Sequence, residues 1–172
     1  MNAFLWSYRV SFLAGFVLCA GLIGFALYAQ FVLLMDPCPL CILQRVAFAA
    51  LGVVFLIGGL HAPRGNGRSF YTVLAVVVAL IGAAIAARHL WIQSLPADQV
   101  PPSCGAPLGY MLEVRAGNGG LIGVLVKVLS GSGECAKVQP ILGLPMPAWS
   151  LLWFVLLGAW AIVATRRRSA LK

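Results

Sequence analysis

Charge is what this sequence has least of. Only 9% of its 172 residues are charged and just four are acidic, whereas 62% are hydrophobic. A chain with so little charge cannot clothe a water-facing surface, and a mean hydropathy of +0.98 excludes an ordinary soluble globule. No internal sequence repeat stands out.

What is present in quantity is long apolar sequence. Four runs meet the requirement of about 20 residues for a membrane-spanning helix: Phe12 to Leu34, Ile42 to Leu60, Phe70 to Ala87 and Trp149 to Thr165. Arg9 precedes the first, as in a signal peptide, but the run far exceeds an h-region of about 7 to 15 residues. It reads as an uncleaved first helix. The expected fold is all-α, an integral four-helix membrane bundle forming a single domain over residues 1–172, with loops at about 35–41 and 90–148 on one face.

Orientation follows from the basic residues, because cytoplasmic ends collect Lys and Arg. One side holds Arg9, Arg64, Arg68, Arg166, Arg167, Arg168 and Lys172, seven cations with no acid. The other holds Arg45, Arg88, Arg115, Lys127 and Lys137 against Asp36, Asp98, Glu113 and Glu134, which leaves the total at +8. Both termini are expected in the cytoplasm. The cations cluster at helix ends, so the charge serves orientation and anionic lipid contact, not nucleic acid.

On the exported side, Asp36-Pro37-Cys38-Pro39-Leu40-Cys41 opens the second apolar run with a Cys-x-x-Cys pair, and Arg45 follows one turn later. Asp36 is the expected N-cap, and the prolines suit a helix entry. Cys41 then lies in the first turn, where free N–H groups and the macrodipole favour a thiolate. The i, i+4 spacing predicts the Arg45 guanidinium over the Cys41 sulfur.

The remaining features have blander readings. Cys19 lies mid-helix and reads as a small buried hydrophobe. Gly15, Gly21, Gly24, Gly52, Ala83, Ala84, Ala86 and Ala87 offer small surfaces for close helix approach. Trp6 and Tyr8 suit an interfacial anchor, and His61 a solvated turn. Arg88-His89-Leu90-Trp91 closes the third helix at the same face as Cys41, with Arg88 and Trp91 as interface residues. Between Gln93 and Pro147, Cys104 and Cys135 flank an apolar run, residues 121–129, too short to span and expected as a surface-lying helix. Pro145 to Trp149 marks entry to the fourth helix.

Four of the five cysteines thus share the exported side, where disulfides persist. Two structural disulfides would leave the cation beneath a Cys-x-x-Cys loop unexplained. A tetrahedral zinc site of Cys38, Cys41, Cys104 and Cys135 is disfavoured by the wide gap between the last two and by Arg45. Redox catalysis accounts for both pairs.

These residues resemble the disulfide bond formation protein B (DsbB) family of bacterial inner membranes. The resemblance rests on Cys38-Pro39-Leu40-Cys41-Ile42-Leu43-Gln44-Arg45, on Arg88-His89, on the Cys104 and Cys135 loop, and on Gly133-Glu134-Cys135-Ala136 leading to Leu142 through Trp149. It implies a membrane thiol:quinone oxidoreductase that reoxidises a periplasmic DsbA-type dithiol oxidase and passes the electrons to ubiquinone or menaquinone. In family terms the partner's thiolate attacks a Cys104–Cys135 disulfide, forming a mixed disulfide at Cys104; freed Cys135 exchanges with Cys38; and Cys41 delivers electrons to quinone. Arg45 and His89 are the implied further quinone contacts. A dithiol oxidant near −120 mV lies beyond the reach of a thiol pool, and each 30 mV is about 1.4 kcal/mol, so a strongly oxidising sink is needed. A sibling oxidase serving a dedicated partner, or a structural or zinc-binding tetraspan protein, are the alternatives; the latter predicts no quinone turnover.

Overall fold

A computed structural model describes residues 7–35, 37–63, 65–96, 135, 140–141 and 143–166. Four helices dominate: α1 (Tyr8–Phe31), α2 (Pro39–His61), α3 (Asn66–Gln93) and α4 (Met146–Arg166). All four are long and apolar enough to cross a membrane. Neighbours in sequence pack against one another, and α4 returns to α1 to close the ring. Large apolar side chains such as Val17, Phe25, Val73 and Val155 remain exposed on the outer faces, as lipid-facing positions require.

The spans match the expected runs, but their ends do not. Hydropathy ends the third run at Ala87, whereas α3 begins at Asn66 and continues through Arg88 and His89 to Gln93. Backbone hydrogen bonding is indifferent to side-chain polarity, so the helix extends beyond its apolar part. The first helix stops earlier than expected, at Phe31, and Leu34 adopts a left-handed φ of 52° on the way to α2.

The α2 entry also corrects an expectation. Its N-cap is Cys38, not Asp36, which lies outside the described residues. Cys38 has extended backbone geometry, its sulfur accepts the Cys41 amide at 3.3 Å, and Pro39 follows at the first helical position, where its missing N–H is no loss.

In the middle of the bundle, Phe48 of α2 and Phe154 of α4 stack with ring centroids 3.9 Å apart. Phe154 reaches that position because α3 presents Gly82, where an added Cβ would collide with the Phe154 ring. Cys19 is buried in the same core, as a small hydrophobe would be. Among the described residues, a Cβ at Gly21 or Gly24 would meet nothing within 4 Å, so neither marks a close helix approach there.

Towards the end of the bundle away from Cys38, the Trp160 indole donates to the Ser11 carbonyl at 2.9 Å, tying α4 to α1. Tyr8 is buried against Phe12 beneath the Arg68 guanidinium and is not an exposed anchor. His61 is exposed, with Nδ1 3.0 Å from the Tyr71 hydroxyl. Just before α4, strand β1 (Pro140–Ile141) pairs antiparallel with β2 (Leu144–Pro145) around Gly143 at φ 82°. Strands of two residues leave no periodic signal in a sequence. The surface helix expected at 121–129 falls outside the described residues, as do Trp6 and Cys104.

Candidate active site

The start of α2, the end of α3, Cys135 and the start of α4 meet at one end of the bundle, and the first turn of α2 divides the site into two sides. Cys38 and Cys41 bracket that turn. Their sulfurs lie 3.1 Å apart with the Cys38 thiol donating, a separation well beyond the roughly 2.05 Å of a disulfide bond.

The Cys38 side is enclosed by protein. Cys38, His89 and Cys135 are all buried, and Cys38 Sγ, Cys135 Sγ and a His89 ring nitrogen lie within 4.8 Å of one another. His89 Nε2 is 3.7 Å from Cys38 Sγ and 3.2 Å from the Cys135 carbonyl oxygen. A carbonyl only accepts, so this contact, shorter than the 3.5 Å from the Gln93 amide nitrogen to the same atom, favours the ring proton on Nε2. Nδ1 is then the acceptor, and the Gln44 amide donates to it at 3.3 Å. Gln44, itself buried, holds the ring plane and, with its nitrogen towards Nδ1, matches this tautomer. Hydrogen bonding to Cys135 first, then to Cys41, and burial hold the Cys38 proton well above the ordinary thiol range.

The Cys41 side opens on a cavity of about 230 Å³. Its walls are mainly apolar, including Leu22, Phe48, Trp149 and Trp153, and its polar groups come from Cys41, Gln44, Arg45 and Ser150. Arg45 shares the cavity with Cys41, as the i, i+4 spacing requires, but its guanidinium is not held on the sulfur. It crosses to α1, where it donates to Gln30 Oε1 and, at 3.0 Å, to the Ala26 carbonyl. A long side chain with five donors is drawn to oxygen acceptors on the neighbouring helix.

His89 departs from its implied place in another way. It is 2% exposed and is not among the cavity's lining residues; it faces Cys38 and Cys135 instead. The reason is helical phase, since His89 shares the inward face of α3 with Ile85, Ala86 and Ile92. Its neighbour Arg88 instead lies over the exposed Trp91 ring, 4.2 Å from the centroid, as an interfacial pair would. Sequence reasoning missed Gln30 and Gln44. The available signal was that each is an uncharged amide inside an otherwise apolar run, which calls for a buried partner.

Comparison with known proteins agrees with this architecture. The family profile described as "Disulfide bond formation protein DsbB" matches residues 8–164. A protein named Disulfide bond formation protein B from Xanthomonas campestris pv. campestris is 49% identical over 166 residues, covering 95% of this chain and 94% of its own. Proteins of the same name from Hahella chejuensis, 47% identical over 169 residues (97% of this chain, 99% of the relative), and Nitrosococcus oceani, 51% identical over 153 residues (88% of each), are similar along their lengths. The chain belongs to the DsbB family of membrane disulfide bond formation proteins.

Proposed function

We propose that this protein is a thiol:quinone oxidoreductase that reoxidises a soluble DsbA-type dithiol protein and delivers the electrons to a membrane quinone. The observation that carries the reading is the two-sided first turn of α2: Cys41 lines an apolar cavity at the bundle wall, and Cys38 meets Cys135 inside the protein. The basic residues favour an orientation with this end in the periplasm of a bacterial inner membrane and both termini in the cytoplasm.

The cavity suits a flat apolar ring with polar oxygens. Tryptophan and aliphatic walls would cover the ring, and Arg45 supplies a fixed cation at the polar edge. A bound quinone supplies the two-electron, two-proton acceptor that a dithiol needs in order to close to a disulfide.

The chain's own residues carry the thiol chemistry. Cys104 is the proposed entry point for the partner, and its departure from Cys135 leaves Cys135 as a thiolate. That thiolate attacks Cys38 Sγ of a Cys38–Cys41 disulfide; a Cys135–Cys38 bond forms, the Cys38–Cys41 bond breaks, and Cys41 leaves as a thiolate facing the cavity. The partner's second thiolate then attacks the partner sulfur of the mixed disulfide, which closes the partner's disulfide, releases it oxidised and frees Cys104 as a thiolate. When that thiolate attacks Cys135 Sγ, the Cys104–Cys135 bond forms, the Cys135–Cys38 bond breaks, and Cys38 is the leaving group that needs a hydrogen-bond donor. His89 Nε2–H is the donor at hand, with the Gln44 amide donating to Nδ1 on the far side of the ring. Mixing the purified protein with a reduced DsbA-type partner and a soluble quinone should consume quinone in step with partner thiols. Absence of quinone loss with a well-folded protein would end this reading.

A further inference from the structure

The cluster at Cys38 has a second chemistry. Three ligand atoms from three distant parts of the chain, Cys38 Sγ, a His89 ring nitrogen and Cys135 Sγ, lie within 4.8 Å of one another, His89 Nε2 is 3.7 Å from Cys38 Sγ, and Cys41 Sγ is 3.1 Å from Cys38 Sγ. A tetrahedral zinc ion with Zn–S near 2.3 Å and Zn–N near 2.0 to 2.1 Å sets donor–donor edges of roughly 3.5 to 3.8 Å. The Cys38–His89 separation of 3.7 Å already fits, the Cys38–Cys41 separation of 3.1 Å needs to open by less than an ångström, and the three atoms of Cys38, His89 and Cys135 lie within 4.8 Å of one another, near the size of one such face. We propose that the reduced protein binds one thiophilic cation of the Zn²⁺ class through Cys38, Cys135 and His89 with Cys41 as fourth donor, and that this ion blocks thiol exchange until it is removed.

Two objections that the sequence raises against a metal here fall away. The fourth protein ligand need not be Cys104, because α3 delivers His89 in its place. Arg45 does not oppose the ion directly, because its guanidinium is committed to Gln30 and Ala26 of α1. Three thiolates and one neutral imidazole around a divalent ion leave a net charge of −1, which a cation one turn away favours. Binding releases three thiol protons and moves no electrons. His89 must offer Nε2 as a lone pair, so its proton shifts to Nδ1, and the Gln44 amide accommodates this by rotating to present its oxygen. That supplies the outer hydrogen bond that metal-bound histidines ordinarily make. Disulfide formation by any of the three cysteines removes a ligand, so the site exists only in the reduced protein.

The test is a titration of the full-length, detergent-purified protein with Cd²⁺ alone, after reduction and anaerobic removal of the reductant, read by ultraviolet thiolate-to-cadmium charge transfer. One ion per chain is expected, with no signal from protein first oxidised by a quinone or a chemical oxidant. Cys135→Ser and His89→Asn should each weaken binding at least tenfold, and Gln44→Ala about tenfold, whereas Cys104→Ser should bind like the parent. Circular dichroism of each variant confirms that the helices persist. A signal that survives both Cys135→Ser and His89→Asn, or that is lost in Cys104→Ser, overturns the assignment, as does the absence of stoichiometric binding by the reduced parent. Quinone reduction measured separately with chelator present keeps the outcomes distinct: failure there strikes the proposed function and leaves the metal site standing.

Discussion

Replacing His89 with alanine separates the two places this side chain could act. In the structure its Nε2 lies against Cys38 and the Cys135 carbonyl, and the cavity that Cys41 lines is on the other side of the α2 turn. A hydrogen bond to a charged partner contributes about 1.5 to 3 kcal/mol. At 1.4 kcal/mol per decade, losing it from a leaving Cys38 thiolate should slow resolution of the Cys38–Cys135 disulfide by roughly 10- to 150-fold. The same change removes the ring acceptor of the buried Gln44 amide, costing about 1 to 3 kcal/mol if water does not enter. Some loss of thermal stability is therefore expected, and His89→Asn, which retains a donor, should recover part of both effects. The assay is a single-turnover reaction quenched with acid and mapped by mass spectrometry for the Cys38–Cys135 linkage, alongside steady-state quinone KM. The expected pattern is accumulation of that linkage with KM within about twofold of the parent. A KM raised tenfold, with the linkage resolved at the normal rate, would refute the reasoning and return His89 to a quinone contact.

Arg45→Met removes the cation from the cavity edge and the two bonds to α1; quinone KM should rise at least tenfold while the helical circular dichroism persists, and Arg45→Lys should recover little because a lysine cannot span Gln30 and Ala26 with a planar fork. Cys104→Ser should abolish turnover with the protein partner; normal oxidation by that variant would place the entry cysteine elsewhere. In the reduced protein, alkylation should label Cys41 before Cys38, since Cys38 is buried and keeps its proton above the ordinary thiol range near 8.5. Raising the pH through and beyond that value should narrow the difference, and equal labelling at pH 7 would contradict it. Gly82→Ala forces a methyl group into the Phe154 ring, and overpacking of this kind costs about 1 to 3 kcal/mol, so the unfolding midpoint in detergent should fall.

The spans were legible because the bilayer imposes length and apolarity together, and no other constraint produces four such runs. Their ends were not, because α3 continues through Arg88 and His89 on backbone hydrogen bonds that hydropathy does not register. The relation of Cys38, Cys41 and Arg45 was legible because it is local: three or four residues on one helix meet whatever the rest of the chain does. Its outcome was only half legible. Spacing places Arg45 beside Cys41, but which acceptor the guanidinium chooses depends on Gln30, 15 residues away on another helix. The contact of His89 with Cys135 spans 46 residues, and nothing in the pattern around either residue announces the other.

The division of the site by one helical turn carries a consequence for the order of events. Cys38 and Cys41 are three residues apart, close enough for their sulfurs to approach within 3.1 Å, yet one side chain is enclosed with His89 and Cys135 and the other reaches a cavity lined by Trp149 and Trp153. A single disulfide between them therefore joins two environments that, among the described residues, are also bridged by the Gln44 side chain, which touches His89 and lines the cavity. In the proposed reaction, the protein-held exchange and the quinone-facing release can each be tuned without exposing the other to water. Gln44 is where they would be coupled. Its amide has one orientation that donates to His89 Nδ1 and another that accepts from it, so a change in the ring's tautomer on the Cys38 side is transmitted as an amide rotation at the cavity wall.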